Sequence, residues 1–153
     1  MQNLPHQYDV VASGHGADAI ELASDSLPPL FAAPPKEFGG PGNMWSPETL
    51  LVGAVAGCFV LTFRAVARAS QVSWTSLRCH ASGTLERADN ATQFTRFDVH
   101  ARLGIPSAAD ALKARRALEK AERSCLISNS LKAAIHLTID VEVDMTSHEP
   151  TVS

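Results

Sequence analysis

Residues 1–45 of this 153-residue chain contain no arginine, and their single lysine is Lys36. Over the whole chain 13 Lys and Arg stand against 16 Asp and Glu, a formal net charge of −3. The basic face that nucleic-acid binding calls for is therefore not expected. Cysteine is scarce as well: there are three, an odd number, and none stands in a CxxC. That argues against a disulfide framework and suits a reducing compartment, so a cytoplasmic protein is expected. The longest uncharged apolar run, Leu50–Phe63, has 14 residues. A bilayer-spanning helix needs about 20, so the run reads as a buried core helix and no membrane partner is expected. Met1–Val10 lacks the basic stretch and apolar core of a secretory signal. Internal repeats and low-complexity blocks are also missing.

What is present describes a folded globular chain, 45% hydrophobic and 19% charged. Its length fits one domain, residues 1–153. Gln7–Ala12 and Ala19–Ala23 read as short strands around Ser13-Gly14-His15-Gly16. Leu27–Asn43, with five prolines and three glycines, reads as a loop throughout. Ser46-Pro47-Glu48 is a helix start, with a Ser cap, Pro at the first position and an acid in the first turn. The helix should run to about Ala69, about 36 Å. It is apolar on nearly every face before Arg64, so it should be enclosed on all sides, more than one small subunit can achieve.

Val72–Glu86 and Gln93–Leu103 predict a hairpin around Arg87-Ala88-Asp89-Asn90. Ser107 caps a second helix, with Asp110 as the partner of a weak capping box. Ala114, Ala117, Leu118, Ala121 and Cys125 share one face of it. Ile135–Asp144 alternates as a half-buried strand, and Met145–Ser153 reads as a frayed tail. The fold class is α+β, with antiparallel sheets packed on a long central helix that carries Cys58.

Cysteine chemistry is the sharpest candidate. Apolar surroundings raise a thiol's pKa, so Cys58 is either an inert core residue or a nucleophile that another group must activate. Cys125 continues a buried stripe and carries the same two readings. Cys79, between Arg78 and His80 in a strand, reads as a bystander. His80 and His100 lie on neighbouring strands, but two histidines without a third ligand make a poor metal site, so no metal is expected. Gly39-Gly40-Pro41-Gly42 lacks the lysine of a phosphate loop.

Three stretches together resemble the OsmC/Ohr family, the osmotically inducible and organic hydroperoxide resistance proteins. They are Glu37-Phe38-Gly39-Gly40-Pro41-Gly42, Trp45-Ser46-Pro47-Glu48-Thr49-Leu50-Leu51 and Ala54-Val55-Ala56-Gly57-Cys58-Phe59. Ala121-Glu122-Arg123-Ser124-Cys125-Leu126-Ile127-Ser128 resembles the family's second cysteine motif. The resemblance implies an intertwined homodimer with the cysteine helices at its core. It implies a thiol peroxidase for organic hydroperoxides, without a bound cofactor, that is reduced by an external dithiol of the lipoyl type. Carried over, Cys58 attacks the peroxide and becomes a sulfenic acid, and Cys125 resolves it as a disulfide. Glu48 matches the glutamate that holds the family's thiolate-stabilising arginine.

That arginine is what residues 1–45 lack. Gly14-His15-Gly16 stands where the peroxidases keep a Gly-Gly-Arg-like motif, which leaves His15 and Lys36 as replacements. Lysine offers a point charge but not arginine's bidentate fork. Arg64 lies about 240° around the helix from Cys58. The alternative function is an OsmC-fold dimer without efficient peroxidase activity, binding a small hydrophobic or thiol ligand between subunits.

Overall fold

The computed structural model describes residues 1–145. Contacts divide the chain into two compact units, Met1–Leu51 and Val52–Ser153. The tail expected over Met145–Ser153 lies, from Thr146 on, outside the described residues.

In the first unit β1 (Val11–Ser13), β2 (Ile20–Ala23) and β3 (Leu30–Ala32) form an antiparallel sheet in that order. The expected opening hairpin is β1–β2, with β1 displaced toward the turn. The expectation of an unbroken loop over Leu27–Asn43 is corrected by β3. Pro28-Pro29 before it and Pro34-Pro35 after it hold the strand to three residues. It lies at the sheet edge, where prolines cost the ladder little. Beyond it a 3-10 turn, Lys36–Phe38, closes on Gly39 at φ 82°. A Cβ on Gly40 would lie 1.6 Å from the Pro34 carbonyl oxygen, so the Gly-Gly-Pro-Gly turn needs glycine there for close backbone approach.

The helix α1 (Pro47–Ala69) starts as its sequence predicts. Ser46 Oγ accepts from the Thr49 N–H at 3.1 Å, and Thr49 Oγ1 accepts from the Ser46 N–H at 2.8 Å. Two of the helix's orphan donors are thereby satisfied reciprocally.

In the second unit β4 (Ser76–Ala88) and β5 (Ala91–Ile105) form a long antiparallel hairpin. Asp89 and Asn90 turn it with φ of 52° and 63°, the left-handed pair of a two-residue hairpin. β6 (Ala134–Val143) joins β5 in parallel, so this sheet is mixed. The parallel pair is possible because α2 (Ala111–Ser124) crosses over between the strands.

One face of β5 carries Phe97, Val99, Ala101, Leu103 and Ile105, each at most 2% exposed. The predicted stripe Ala114, Ala117, Leu118 and Ala121 of α2 is buried as well, and α2 packs on β5 and β6. Ser107 caps this segment by accepting from the Ala109 N–H, but the first turn is 3-10, over Ala108–Asp110. Asp110 makes no capping hydrogen bond from its side chain, so the expected capping box does not close.

Within the single chain α1 is enclosed only in part. Val55, Phe59, Phe63, Val66 and Ala67 are buried, while Gly53, Ala54, Gly57 and Leu61 are exposed. Of its most apolar 18-residue window, at a mean hydropathy of 2.1, 28% is buried within the chain. By length and composition alone α1 could cross a membrane, a test that core helices also pass.

Candidate functional site

Cys58 sits half-buried in the middle of α1. Cys125 is fully buried at the end of α2. There the backbone leaves the helix, with Cys125 at φ −68° and ψ 108°, and re-enters one at once as the four-residue α3 (Leu126–Asn129). This break has a chemical consequence. The first amides of any helix have no intrahelical acceptor, so restarting the helix after Cys125 frees the N–H groups of Leu126 and Ile127. Both bear on the Cys58 sulfur, together with the Cys125 thiol and the Thr62 hydroxyl. Thr62, one helical turn beyond Cys58, places its Oγ1 3.8 Å from Sγ.

These donors decide the thiol's ionisation. Burial pushes the Cys58 thiol up, but the Ile127 N–H, the Cys125 thiol, the Thr62 hydroxyl and the Leu126 N–H together outweigh it. The net pKa lies below the ordinary thiol value. Cys125 moves the other way. Burial raises it, the neighbouring Cys58 raises it further, and the Ser128 hydroxyl and N–H offset only part of this. Of the two, Cys58 is thus the more acidic thiol. Cys79, on β4, is pushed up to about 11, chiefly by burial and secondarily by Cys125. A thiol that weakly acidic is a poor nucleophile at neutral pH, in keeping with the bystander reading.

The other candidate site residues, His15, Lys36 and Glu48, belong to the first unit. His15 and Lys36 are exposed there, and Glu48 is half-buried in the first turn of α1. Among the described residues, Glu48 Oε2 is buried without a hydrogen-bond partner. The groups that shift Cys58 all come from the second unit. Sequence reasoning missed Leu126, Ile127 and Thr62. The first two act through backbone amides, which residue type does not encode, and the signal for Thr62 was its i+4 spacing from Cys58.

The first unit also carries an open groove of about 440 Å³, lined by Phe31, Gly42, Asn43, Met44, Trp45 and Thr49. On the outer face of the second unit's sheet His100 pairs with Asp140 at 2.5 Å, and His80 lies opposite His100 in register. No group of His, Cys, Asp and Glu among the described residues could hold a metal ion.

Known proteins align with this geometry. The sequence model of the OsmC-like protein family matches residues 40–140, a span that contains both Cys58 and Cys125. An uncharacterized protein, YmaD, of Bacillus subtilis is 26% identical over 115 residues, covering 72% of this chain and 76% of that one. An OsmC-like protein of unknown function from Vibrio cholerae superposes with a TM-score of 0.82 at 15% identity, covering 89% of this chain and all of the other. An organic hydroperoxide resistance protein from Legionella pneumophila superposes with a TM-score of 0.69 at 25% identity, covering 91% of this chain and all of that one. By the family match to residues 40–140, well over half of its length, and with the α+β OsmC fold, the chain belongs to the OsmC-like protein family.

Proposed function

We propose that this protein reduces organic hydroperoxides with Cys58 as the attacking thiolate and Cys125 as the resolving thiol. The observation that carries the reading is the opposed ionisation of the pair. Cys58 is held below the ordinary thiol range by amide, thiol and hydroxyl donors, while buried Cys125 is held above it. The Cys58 thiolate attacks the terminal peroxide oxygen. An S–O bond forms, the O–O bond breaks, and the alkoxide takes a proton from water to leave as the alcohol. Cys125 then attacks the sulfenic sulfur, forming the disulfide and releasing water. A dithiol of the lipoyl type returns both cysteines to thiols by exchange.

Two further elements belong to the reading. A second copy of the chain covers the exposed side of α1, where the small residues Gly53, Ala54 and Gly57 permit close helix approach. The protein works in the cytoplasm, where its thiols stay reduced, without nucleic-acid or membrane partners. Glu48 belongs to the reading as a site residue, and its unpartnered oxygen accords with the absence of arginine from residues 1–45.

Cys58→Ser tests the reading. It should abolish peroxide reduction, whereas Cys125→Ser should allow one oxidation event and no turnover. Peroxidase activity retained in Cys58→Ser would refute the assignment. One observation favours a second reading, a non-catalytic dimer that binds a small apolar ligand: the groove beside Phe31, Met44 and Trp45 is open and partly aromatic. Under that reading Cys58 reacts with hydroperoxides no faster than free cysteine.

A further inference from the structure

The outward side of α2 carries Lys113, Arg116, Lys120 and Arg123, all exposed. At about 100° per residue these four fall within roughly 80° of one another around the helix, and no acid lies in that arc. We infer that this basic stripe is the docking surface for an acidic protein that brings the reducing dithiol to the oxidised cysteine pair. The inference rests on the peroxidase reading above and names the kind of reductant it uses.

Three observations carry it. First, the stripe is uncompensated. Lys113 and Arg116, Arg116 and Lys120, and Lys120 and Arg123 are like charges three or four residues apart, an arrangement that costs helix stability. Among the described residues the ion pairs are Arg96–Asp98, His100–Asp140 and Arg102–Glu142, so none relieves the stripe. Lys113 donates to the Gln71 carbonyl oxygen at 3.0 Å, a neutral acceptor that leaves its charge in place. An acidic partner supplies the missing countercharge. Second, the stripe leads toward the reacting pair. It runs about 15 Å along α2, and Arg123, its last member, stands two residues before Cys125. The Leu126 and Ile127 amides that follow bear on the Cys58 sulfur, and the Leu126 side chain is exposed there. Third, the chain as a whole carries a charge of −3. Its overall field repels an acidic partner, so attraction is confined to this face, which fixes where the partner lands.

In the reduction, a thiolate of the carrier attacks the sulfur of Cys58, the less buried residue of the pair. A disulfide bond to the carrier forms, the Cys58–Cys125 bond breaks, and Cys125 leaves as a thiolate that takes a proton from water. The carrier's second thiol then attacks its own sulfur in the mixed disulfide and releases Cys58. Both cysteines end reduced, and the carrier ends as a disulfide, having given two electrons.

Two synthetic peptides of equal length test this, each with a Cys-Ser-Ser-Cys dithiol, one flanked by glutamates and the other by serines. Full-length wild type is compared with an Arg116→Glu, Lys120→Glu variant. An Arg78→Glu, Arg87→Glu variant changes the net charge equally on exposed residues of β4. At low salt the acidic peptide should reduce the oxidised wild type about tenfold faster than the neutral one. That advantage should vanish in about 0.5 M salt and in the α2 variant, and should survive in the β4 variant. Dithiothreitol, an uncharged dithiol, should reduce all three proteins at rates within about twofold. Equal rates for the two peptides, or an advantage that the α2 variant keeps or that both variants lose alike, would overturn the inference. If the α2 variant folds poorly, Arg116→Gln with Lys120→Gln replaces it under the same criteria. Fluorescence anisotropy with the acidic peptide, its cysteines changed to serine, separates docking from chemistry. A DNA duplex of matched charge bound more tightly than this peptide would overturn the acidic protein as occupant. Wild type that forms no Cys58–Cys125 disulfide with cumene hydroperoxide would instead overturn the peroxidase reading, while the anisotropy would still decide whether the stripe binds acidic protein.

Discussion

The backbone N–H of Ile127 lies against the sulfur of Cys58, two residues after Cys125. The segment that carries the second thiol thereby also lowers the pKa of the first. In the proposed reaction, activation and resolution would both draw on a single chain break, the restart of a helix after an extended Cys125. Hydrogen-bond donors of this kind favour a thiolate without a cationic side chain.

The Cys58 thiol should ionise below the ordinary thiol range, so its alkylation rate should reach its plateau at lower pH than that of free cysteine. Iodoacetamide labelling of a Cys79→Ala, Cys125→Ala double variant isolates the Cys58 signal. Removing Cys125 deletes one of the lowering donors, so that variant's midpoint should lie above the wild type's. A midpoint at or above that of free cysteine in both proteins would refute the pKa account.

Cys79 makes the opposite contribution at alkaline pH. Its folded pKa, about 11, lies above the ordinary thiol value of 9.0. Between these values the unfolded thiol has lost its proton while the folded one keeps it. Stability therefore falls as pH rises through this window. Cys79→Ala should flatten that part of the stability curve between about pH 9 and pH 11, measured by urea denaturation. It should leave neutral-pH thiol reactivity with peroxide unchanged.

The exposed small residues of α1 give a prediction about assembly. A Cβ on Gly57 meets nothing within 4 Å in the single chain, where the residue is exposed, so Gly57→Leu should fold. If a second copy packs there, the added volume separates the helices. The wild type should sediment as a dimer and Gly57→Leu as a monomer or a markedly weaker dimer. A wild-type monomer at micromolar concentration would contradict the proposed assembly.

Phe97 anchors the sheet of the second unit. It is fully buried and stacks on Phe94 at 5.1 Å. A Cβ on Gly83 would lie 2.8 Å from Phe94 and 3.0 Å from Phe97, so the glycine makes room for the pair. Phe97→Ala should cost about 3–5 kcal/mol, and Gly83→Val should also destabilise by displacing the rings. Both are read from denaturation midpoints of the full chain.

The parts of the fold governed by local pattern were legible in the sequence. Ser46-Pro47 marks the start of α1, the Asp89-Asn90 turn centres the hairpin, and the spacing from Ala114 to Ala121 gives the buried face of α2. The parallel join of β6 to β5 was not legible, because pairing over that separation leaves no periodic signature. Nor was β3, hidden between two Pro-Pro pairs that read as a loop. At the site, motif residues identified Cys58 and Cys125, but the groups that set their ionisation did not stand out. Two of them are main-chain amides, freed by a conformation at Cys125 that residue type alone does not specify.

The most direct test of the central claim is a single-turnover thiol count. Fully reduced protein is mixed with one equivalent of cumene hydroperoxide and, separately, of hydrogen peroxide, and is followed by stopped flow and mass spectrometry. The account predicts rapid loss of two thiols per chain with a Cys58–Cys125 crosslink, faster with the organic peroxide. Thiol loss no faster than that of free cysteine, or a crosslink that omits Cys58, would contradict it.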